Sequence, residues 1–216
     1  MNLDLFPEPP APRPAWSFSP GAVLLGGFAL DAATALLDAM HAVIEQAPLR
    51  HMVTPGGRRL GVALSNCGPL GWISDHRGYR YGALDPVSGH AWPSMPRCFA
   101  ELATRAAAAA GYDSFVPDAC LINRYQPGTR LTLHQDKNER DFNQPIVSVS
   151  LGMPALFQFG GTERSDPAQR IPLAHGDVAV WGGPSRLNYH GIAPLKERPH
   201  AVLGAVRYNL TLRRAG

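Results

Sequence analysis

From residue 119 onward the chain repeats a short pattern of strand and turn, and this repetition restricts the fold more than any other feature. Residues 146–151 alternate Val147, Val149 and Leu151 with two serines, which is the period of a strand with one apolar face. Many short runs of this kind, separated by glycine-rich turns, predict a β-sandwich or barrel, here a double-sheet jelly roll. The runs expected to form strands cover residues 119–125, 146–151, 155–159, 177–181, 187–192 and 205–213.

Two segments before this region carry apolar residues at helical spacing. The first covers residues 30–46, with Asp31 as the expected N-cap. The second covers residues 96–110, opens at a proline and ends before Gly111. These segments predict two helices that pack against the sheets.

The remaining segments set the expected domain organisation. Residues 1–20 are rich in proline and predict a mobile arm. Residues 51–92 hold short runs rich in glycine and aromatic residues and predict a hairpin-like flap for binding substrate. We therefore expect a mostly β protein with flanking α: one domain over residues 21–216, with its jelly-roll core in residues 117–216.

The composition fits one globular domain and excludes several other classes. A chain of 216 residues with 45% hydrophobic residues can bury one sizeable core. Three cysteines without a Cys-x-x-Cys pair indicate neither a disulfide framework nor a zinc ribbon, and favour a reducing cytoplasm. No signal peptide or membrane span is expected. The net charge of +3 is compatible with nucleic acid without requiring it.

A candidate metal site is formed by His134 and Asp136, in His-Gln-Asp, together with His190. Two imidazoles and one carboxylate are the ligand set of non-haem Fe(II) oxygenases. If His134 and Asp136 lie two apart on a strand, both project to the same side and can bind one ion. A second His-x-Asp, His175-Gly176-Asp177, shows that the tripeptide alone is weak evidence. We expect this copy to be unrelated to the metal, with Asp177 exposed in a turn.

The last predicted strand carries two arginines on one face. Because successive side chains of a strand point to opposite faces, one face of this strand carries Arg207, Asn209, Thr211 and Arg213, and the other face is apolar. Guanidinium groups bind carboxylates in bidentate fashion, so this face suits a dicarboxylate such as 2-oxoglutarate, bracketed from either end. The alternative is a pair of solvated arginines on an edge strand.

Six stretches of the chain resemble the AlkB family of Fe(II)/2-oxoglutarate-dependent alkylation-repair dioxygenases. They are MVTPGG at 52–57, PDACLINRY at 117–125, LHQDK at 133–137, FQFGG at 157–161, HGDV at 175–178 and RYNLT at 207–211. The resemblance covers nearly all of the chain after the proline-rich arm and includes the bacterial founding member.

The resemblance implies an activity and a set of site residues. The activity is oxidative demethylation of N-alkylated bases in DNA, single strands preferred, with RNA as a second substrate and a monomeric enzyme. It implies that Fe(II) is bound by the catalytic residues His134, Asp136 and His190. It implies that 2-oxoglutarate, used with O₂, is held by Asn123, Tyr125, Arg207, Asn209 and Arg213. It implies that Trp72 and His134 sandwich the flipped base and that nucleic acid contacts Thr54, Tyr79, Arg80, Tyr81, Arg130, Lys137, Asn138 and Arg164.

Two positions depart from the family pattern. The founding member has an acidic residue where this chain has Asn138, and a neutral amide favours a cationic methylated base less strongly than a carboxylate does. Arg58 replaces an aromatic residue in the loop expected to face the substrate. Two alternative functions stay open: a 2-oxoglutarate oxygenase acting on tRNA, protein or a metabolite, and a non-catalytic nucleic-acid sensor.

Overall fold

The computed structural model describes residues 13–216. Helix α1 spans Ala33–Gln46 and helix α2 spans Arg97–Ala109, and one 3-10 turn covers Gly183–Ser185. No helix in this range is long and apolar enough to cross a bilayer. The strands, in chain order, are β1 Trp16–Ser19, β2 Ala22–Leu25, β3 Ala63–Cys67, β4 Gly71–Asp75, β5 Gly78–Gly82, β6 Ala119–Tyr125, β7 Leu131–His134, β8 Ile146–Gly152, β9 Ala155–Phe159, β10 Gln169–Leu173, β11 Val178–Trp181, β12 His190–Ile192 and β13 Arg207–Arg213.

Two antiparallel sheets form the body of the protein and confirm the predicted jelly roll. The larger sheet has the order β1-β2-β11-β8-β13-β6-β3, and the smaller sheet has the order β10-β9-β12-β7. The outer face of the larger sheet packs on both helices through residues such as Ile122, Leu210 and Phe99. Its inner face packs on the smaller sheet through residues such as Tyr125, Trp181 and Phe157. The space between the sheets is therefore filled mainly by apolar side chains.

The central strand β13 lies between β6 and β8 in register. Arg207 is opposite Tyr125 and Asn209 is opposite Asn123. Because side chains alternate along a strand, Leu210 and Leu212 point to the helices while the polar residues face the smaller sheet. The predicted two-faced strand is confirmed, and it is central rather than an edge strand.

Strands β4 and β5 form a separate two-stranded sheet, called here the β4–β5 hairpin. The side chain of Asn66 in β3 hydrogen-bonds both the amide and the carbonyl of Trp72, at 2.9 and 3.0 Å. Ser74 donates to the carbonyl of Val53 at 2.6 Å. The hairpin is thus attached to the larger sheet along one side, and its β5 strand is available to contact other parts of the chain.

Several expected boundaries were wrong because strand pairing is non-local. Residues 1–12 of the expected arm lie outside the described residues, but Trp16–Ser19 forms β1 and pairs with β2. The larger sheet also includes β3, so part of the segment expected to form the flap, residues 51–92, belongs to this sheet, and strands outside residues 117–216 contribute to it. Ala32, not Asp31, is the N-cap of α1. Helix α2 matches its prediction within one residue at each end.

Candidate metal centre and active site

Two of the three predicted metal ligands face each other on neighbouring strands of the smaller sheet. His190 in β12 is directly opposite His134 at the end of β7, and their ring centroids are 4.4 Å apart. Asp136 follows the end of β7, and its carboxylate oxygens lie 3.7 Å from His134 Nε2 and 3.6 Å from His190 Nε2. Among the described residues these three form the one group of such side chains close enough to share a metal ion.

The backbone fixes which ring nitrogen of each histidine is free. His134 Nδ1 lies 2.9 Å from the Thr132 carbonyl, and His190 Nδ1 lies 2.9 Å from the Asn188 carbonyl. A carbonyl oxygen only accepts, so each Nδ1 carries the proton and donates it. Each Nε2 is left with its lone pair directed at the shared site, which is how histidine prepares to bind a metal.

The loop that carries Asp136 is held by its neighbour Gln135. The Gln135 side chain donates to the carbonyl of Leu187 at 2.7 Å and to that of Thr162 at 3.3 Å. These bonds connect the end of β7 to the segment before β12. Asp136 is not on a strand, contrary to expectation, and these contacts instead hold it beside the two histidines.

Local electrostatics suit the three side chains to bind a cation. Burial raises the pKa of Asp136, but the Arg213 charge and the nearby His190 outweigh it and hold that pKa well below its usual value. Burial and the neighbouring His190 lower the pKa of His134. The site therefore presents a carboxylate and a neutral imidazole at neutral pH. Two nitrogens and one oxygen fit Fe(II) chemically and leave further positions for co-substrates.

Arg207 carries a buried positive charge that lacks full pairing. Its side chain is 1% exposed and donates through Nη2 to Ser150 Oγ at 3.0 Å, while its guanidinium lies 5.0 Å from the Tyr125 ring centroid. Across residues 13–216, Nε and Nη1 of Arg207 have no hydrogen-bond partner. Burial lowers the pKa of Arg207 and raises that of Tyr125 to about 12, so the phenol stays protonated. An unpaired guanidinium in the protein interior fits a carboxylate ligand.

A polar cluster continues from Arg207 along the inner face of the larger sheet. Asn209 Nδ2 donates to Ser148 Oγ at 2.8 Å, and Asn209 Oδ1 accepts from Asn123 Nδ2 at 3.1 Å and from Thr211 Oγ1 at 2.7 Å. Ser148 and Ser150 were not predicted as site residues, although their alternation with valine placed them on one face. The cluster fixes both asparagine amides on the face that Arg207 shares.

Arg213 lies at the metal end of β13 and is already paired. Its Nε and Nη2 donate to Asp136 Oδ2 at 3.0 and 2.6 Å, and its Nε lies 3.4 Å from Glu139 Oε1. Despite burial, these carboxylates raise the pKa of Arg213 above its ordinary value. The two arginines of β13 therefore differ: Arg207 has unpaired donors, and Arg213 positions a predicted metal ligand.

Aromatic residues of the β4–β5 hairpin contact Asn138, which lies two residues after Asp136. Trp72 and Tyr79 stack with centroids 5.7 Å apart and planes at 12°. Trp72 Nε1 donates to Asn138 Oδ1 at 3.2 Å, and Asn138 Nδ2 donates to the Tyr79 carbonyl at 3.5 Å. Tyr81 donates from its hydroxyl to Glu139 Oε1 at 2.6 Å.

The other residues expected to contact nucleic acid are spread over this face. Arg80 is bound by both carboxylate oxygens of Asp75, at 2.8 and 2.7 Å, so its charge is partly neutralised. Thr54 accepts the Arg58 amide in a turn, at 3.1 Å. The Arg164 guanidinium lies 5.3 Å from the Tyr189 ring. Arg130 and Lys137 are exposed.

Sequence reasoning missed two charged residues and misplaced a third. Glu139 and Arg186 are 6% and 3% exposed and form an ion pair at 3.1 Å. No local pattern signals their burial, since a lone Glu or Arg in a polar loop is normally a surface residue. Asp177 was expected to be exposed, but it is 1% exposed because it accepts the amides of Gly27 and Ala174, at 2.8 and 2.7 Å, and pairs with Arg13.

Comparison with known proteins agrees with this geometry. The sequence pattern of the 2OG-Fe(II) oxygenase superfamily matches residues 21–213. The chain is 58% identical over 214 residues to "Alpha-ketoglutarate-dependent dioxygenase AlkB" of Salmonella typhimurium, covering 99% of this chain and 98% of that protein. It is 32% identical over 170 residues to "DNA N(6)-methyladenine demethylase ALKBH1C" of Arabidopsis thaliana, covering 67% of this chain and 37% of that protein.

A solved structure supports the same assignment. The structure titled "The structure of OsALKBH1" superposes with a TM-score of 0.80 at 28% identity, covering 93% of this chain and all of that one (100%). Fold, ligand set and sequence similarity agree over nearly the whole length of the chain. The chain therefore belongs to the 2OG-Fe(II) oxygenase superfamily and, within it, to the AlkB family.

Proposed function

We propose that this protein removes N-methyl groups from the bases of DNA by oxidation, with Fe(II) as cofactor and with 2-oxoglutarate and O₂ as co-substrates. The observation that carries the proposal is the placement of His134, Asp136 and His190 on one side of the core and the unpaired Arg207 guanidinium on the facing sheet. One site thus offers a metal-binding set and a carboxylate receptor. The nucleic-acid substrate is supported by the similarity to the Arabidopsis DNA N(6)-methyladenine demethylase.

The chemistry divides between the bound groups and the chain. The two Nε2 atoms and Asp136 would hold the iron. When bound there, the iron and the co-substrates would provide the oxidation of a methyl C–H bond to C–OH. The N-hydroxymethyl product then breaks its N–C bond and releases formaldehyde and the restored base, while 2-oxoglutarate leaves as succinate and CO₂. The residues of this chain orient both substrates and exclude water, which is the usual contribution of a protein to cofactor chemistry.

The polar residues between the sheets hold 2-oxoglutarate in this proposal. Arg207 takes one carboxylate through N–H donors that the described protein leaves unpaired, beside the Tyr125 ring. Asn123 and Asn209 line the path towards the metal, and Arg213 supplies positive charge at the metal end beside Asp136. Charge-assisted hydrogen bonds between guanidinium and carboxylate are among the strongest hydrogen bonds in proteins.

The substrate base enters from the hairpin side. Trp72 stacks on the base, with His134 on the other face, and the contacts to the strand come from exposed and half-buried polar and aromatic residues. These are Thr54, Tyr79, Arg80, Tyr81, Arg130, Lys137, Asn138 and Arg164. A base must leave its stack to reach the metal, so single strands are the preferred substrate and RNA is a second one. The enzyme acts as a monomer in the cytoplasm, and its three cysteines are free.

The test uses protein loaded with Fe(II) without oxygen, then given 2-oxoglutarate, O₂ and a single-stranded oligonucleotide with one N1-methyladenine. Mass spectrometry is expected to show loss of one methyl group and an equal amount of succinate. An unchanged oligonucleotide with steady succinate release would indicate another substrate, such as tRNA, a protein or a metabolite. Absence of both products would indicate a non-catalytic sensor.

Asn138 is expected to set the preference between cationic and neutral methylated bases. Replacing Asn138 with Asp puts a carboxylate at the Trp72 indole and is expected to favour N1-methyladenine, a cation, over neutral N3-methylthymine by about fivefold, equivalent to about 1 kcal/mol. Competition between the two oligonucleotides in one reaction measures the ratio. Asn138→Ala is the control, because it removes the amide without adding charge. A ratio that is the same in Asn138→Asp and Asn138→Ala would contradict the prediction.

A further inference from the structure

Four charged side chains are buried together next to the metal-binding loop. Asp136 and Glu139 are the acids, and Arg186 and Arg213 are the bases. Arg213 pairs with both acids, at 2.6 Å to Asp136 and 3.4 Å to Glu139. Arg186 pairs with Glu139 at 3.1 Å and donates to the Asp136 carbonyl at 2.8 Å. The group is formally neutral; Glu139 is held by both arginines, whereas the Asp136 carboxylate is held by Arg213 and its backbone carbonyl by Arg186.

Tyr81 connects this group to the β4–β5 hairpin. Its hydroxyl donates to Glu139 Oε1 at 2.6 Å. Burial raises the pKa of Tyr81 well above its ordinary value, so the phenol keeps the proton that it donates. Tyr81 is opposite Trp72 in the hairpin, and Trp72 stacks on Tyr79. A change in the position of this aromatic surface therefore reaches Glu139 through one strong hydrogen bond.

Glu139 Oε1 has two partners, and this links Tyr81 to Arg213. The phenol hydroxyl lies at 2.6 Å and Arg213 Nε at 3.4 Å. In the structure, Arg213 Nε donates to Asp136 Oδ2 at 3.0 Å. If the Tyr81 hydroxyl moves away, Arg213 is the remaining partner of Glu139 Oε1. The pull of Glu139 on the guanidinium then increases at the expense of Asp136.

The position of Arg213 determines how Asp136 presents its oxygens. Arg213 directs two N–H groups at Oδ2, which lies 3.6 Å from His190 Nε2, while Oδ1 lies 3.7 Å from His134 Nε2. While Arg213 holds Oδ2, the carboxylate is fixed in rotation. Outer contacts of this kind orient metal-binding side chains and tune metal affinity.

We propose that Tyr81 and Glu139 are positioning residues that couple the hairpin to the metal site, through the chain of contacts Tyr81–Glu139–Arg213–Asp136. Binding of a methylated strand against the hairpin alters the Tyr81 contact, and the change reaches the carboxylate that holds the metal. This inference rests on the proposed function, since it requires nucleic acid to engage the hairpin. It gives the enzyme a means of matching its metal site to the presence of substrate.

The test measures how strongly metal and strand affect each other's binding. Co(II) replaces Fe(II), and its visible absorption reports both its affinity and its coordination. The strand is a fluorescein-labelled single-stranded DNA with one N1-methyladenine, followed by anisotropy with and without Co(II), 2-oxoglutarate being present throughout. In the wild-type protein each ligand is expected to change the affinity of the other by about fivefold, by the same factor in both directions. Addition of the strand is also expected to shift the Co(II) absorption.

Tyr81→Phe removes a single hydroxyl group and keeps the ring. We expect it to reduce the coupling to below about twofold, with the affinity for Co(II) alone unchanged. Glu139→Gln is expected to reduce the coupling too and to alter the Co(II) spectrum even without the strand. The controls are Tyr208→Phe, on the helix-facing side of β13, and Glu45→Gln, exposed on α1. Both are expected to keep the full coupling.

Each result decides the matter. Full coupling in Tyr81→Phe would overturn the proposed coupling through Tyr81 and Glu139 and leave the proposed function intact. The same conclusion would follow if a wild-type protein that demethylates the strand showed no coupling. A wild-type protein that neither binds nor demethylates the strand would overturn both. If Glu139→Gln fails to fold, as judged by circular dichroism, the comparison of Tyr81→Phe with Tyr208→Phe still decides.

Discussion

Replacing Asp136 with alanine is expected to abolish demethylation and to lower the stability of the fold, whereas replacing His134 with alanine is expected to abolish demethylation alone. Both changes remove one of three proposed metal ligands. They differ in what they leave behind. Asp136 accepts two N–H groups from the buried Arg213, and its loss leaves that cation with Glu139 at 3.4 Å.

The expected magnitudes follow from this difference. Leaving a buried charge without its main partner costs about 3 kcal/mol or more. The His134 side chain is 32% exposed and its ring makes one hydrogen bond to a carbonyl, so its removal costs about 1 kcal/mol. Urea unfolding of chelator-treated protein measures the stability of each variant, and mass spectrometry of the oligonucleotide measures the activity.

His175→Ala is the matched control, because His175-Gly176-Asp177 has the same spacing without belonging to the metal group. It is expected to keep its activity, with a small loss of stability from the bond that Gly152 donates to His175 Nδ1 at 3.0 Å. Equal stability of Asp136→Ala and His134→Ala would show that Arg213 does not depend on Asp136.

The parts of the fold that depend on local pattern were predictable from the sequence. Strands β6 and β9 match their predicted ranges at both ends, Ala119–Tyr125 and Ala155–Phe159. Each has alternating or continuous apolar residues and is followed by a turn signal, Pro127-Gly128 or Gly160-Gly161. The ends of α2 were also clear, since a proline opens it and Gly111, with φ of +88°, follows it.

The parts that depend on distant partners were not predictable. Strands β1, β2 and β10 were missed because each is short and has little strand pattern of its own. Pairing with another strand makes such a segment a strand, as the pairing of β2 with the distant β11 shows. The segment that holds β1 reads as a proline-rich arm when taken alone. Composition describes the local chain, while sheet membership is decided by long-range pairing.

The candidate site shows the same division. His134, Asp136 and His190 were predictable as a group because each is a ligand type with a recognisable spacing or strand context. Glu139 and Arg186 were not, because their importance comes from burial against each other. The sequence also treats the arginines of β13 alike, and only the contacts show that Arg213 is paired with carboxylates whereas Arg207 has unpaired donors.

Replacing Arg207 with methionine is expected to stabilise the protein when 2-oxoglutarate is absent and to abolish its stabilisation by 2-oxoglutarate. The guanidinium is buried with two nitrogen atoms unpaired within the described chain, and burial lowers its pKa because a charge is disfavoured away from water. Replacing even a buried ion pair with apolar side chains of similar volume is often neutral or stabilising by about 1–4 kcal/mol. Methionine adapts well to irregular space in a core.

The order of stability is expected to invert when 2-oxoglutarate is added. A ligand at 100 times its dissociation constant stabilises the protein that binds it by about 2.7 kcal/mol. The wild-type protein gains this stability and Arg207→Met does not, because the proposed carboxylate receptor is gone. Thermal unfolding in Mn(II), with and without 2-oxoglutarate, measures both effects, and Arg170→Met is the control since Arg170 is exposed on β10.

If Arg207→Met were less stable than wild type without 2-oxoglutarate, the guanidinium would already be satisfied by the protein. If it kept the full stabilisation by 2-oxoglutarate, the carboxylate would bind elsewhere. The expected inversion would mean that Arg207 lowers the stability of the free protein and that this strain is relieved when the co-substrate binds.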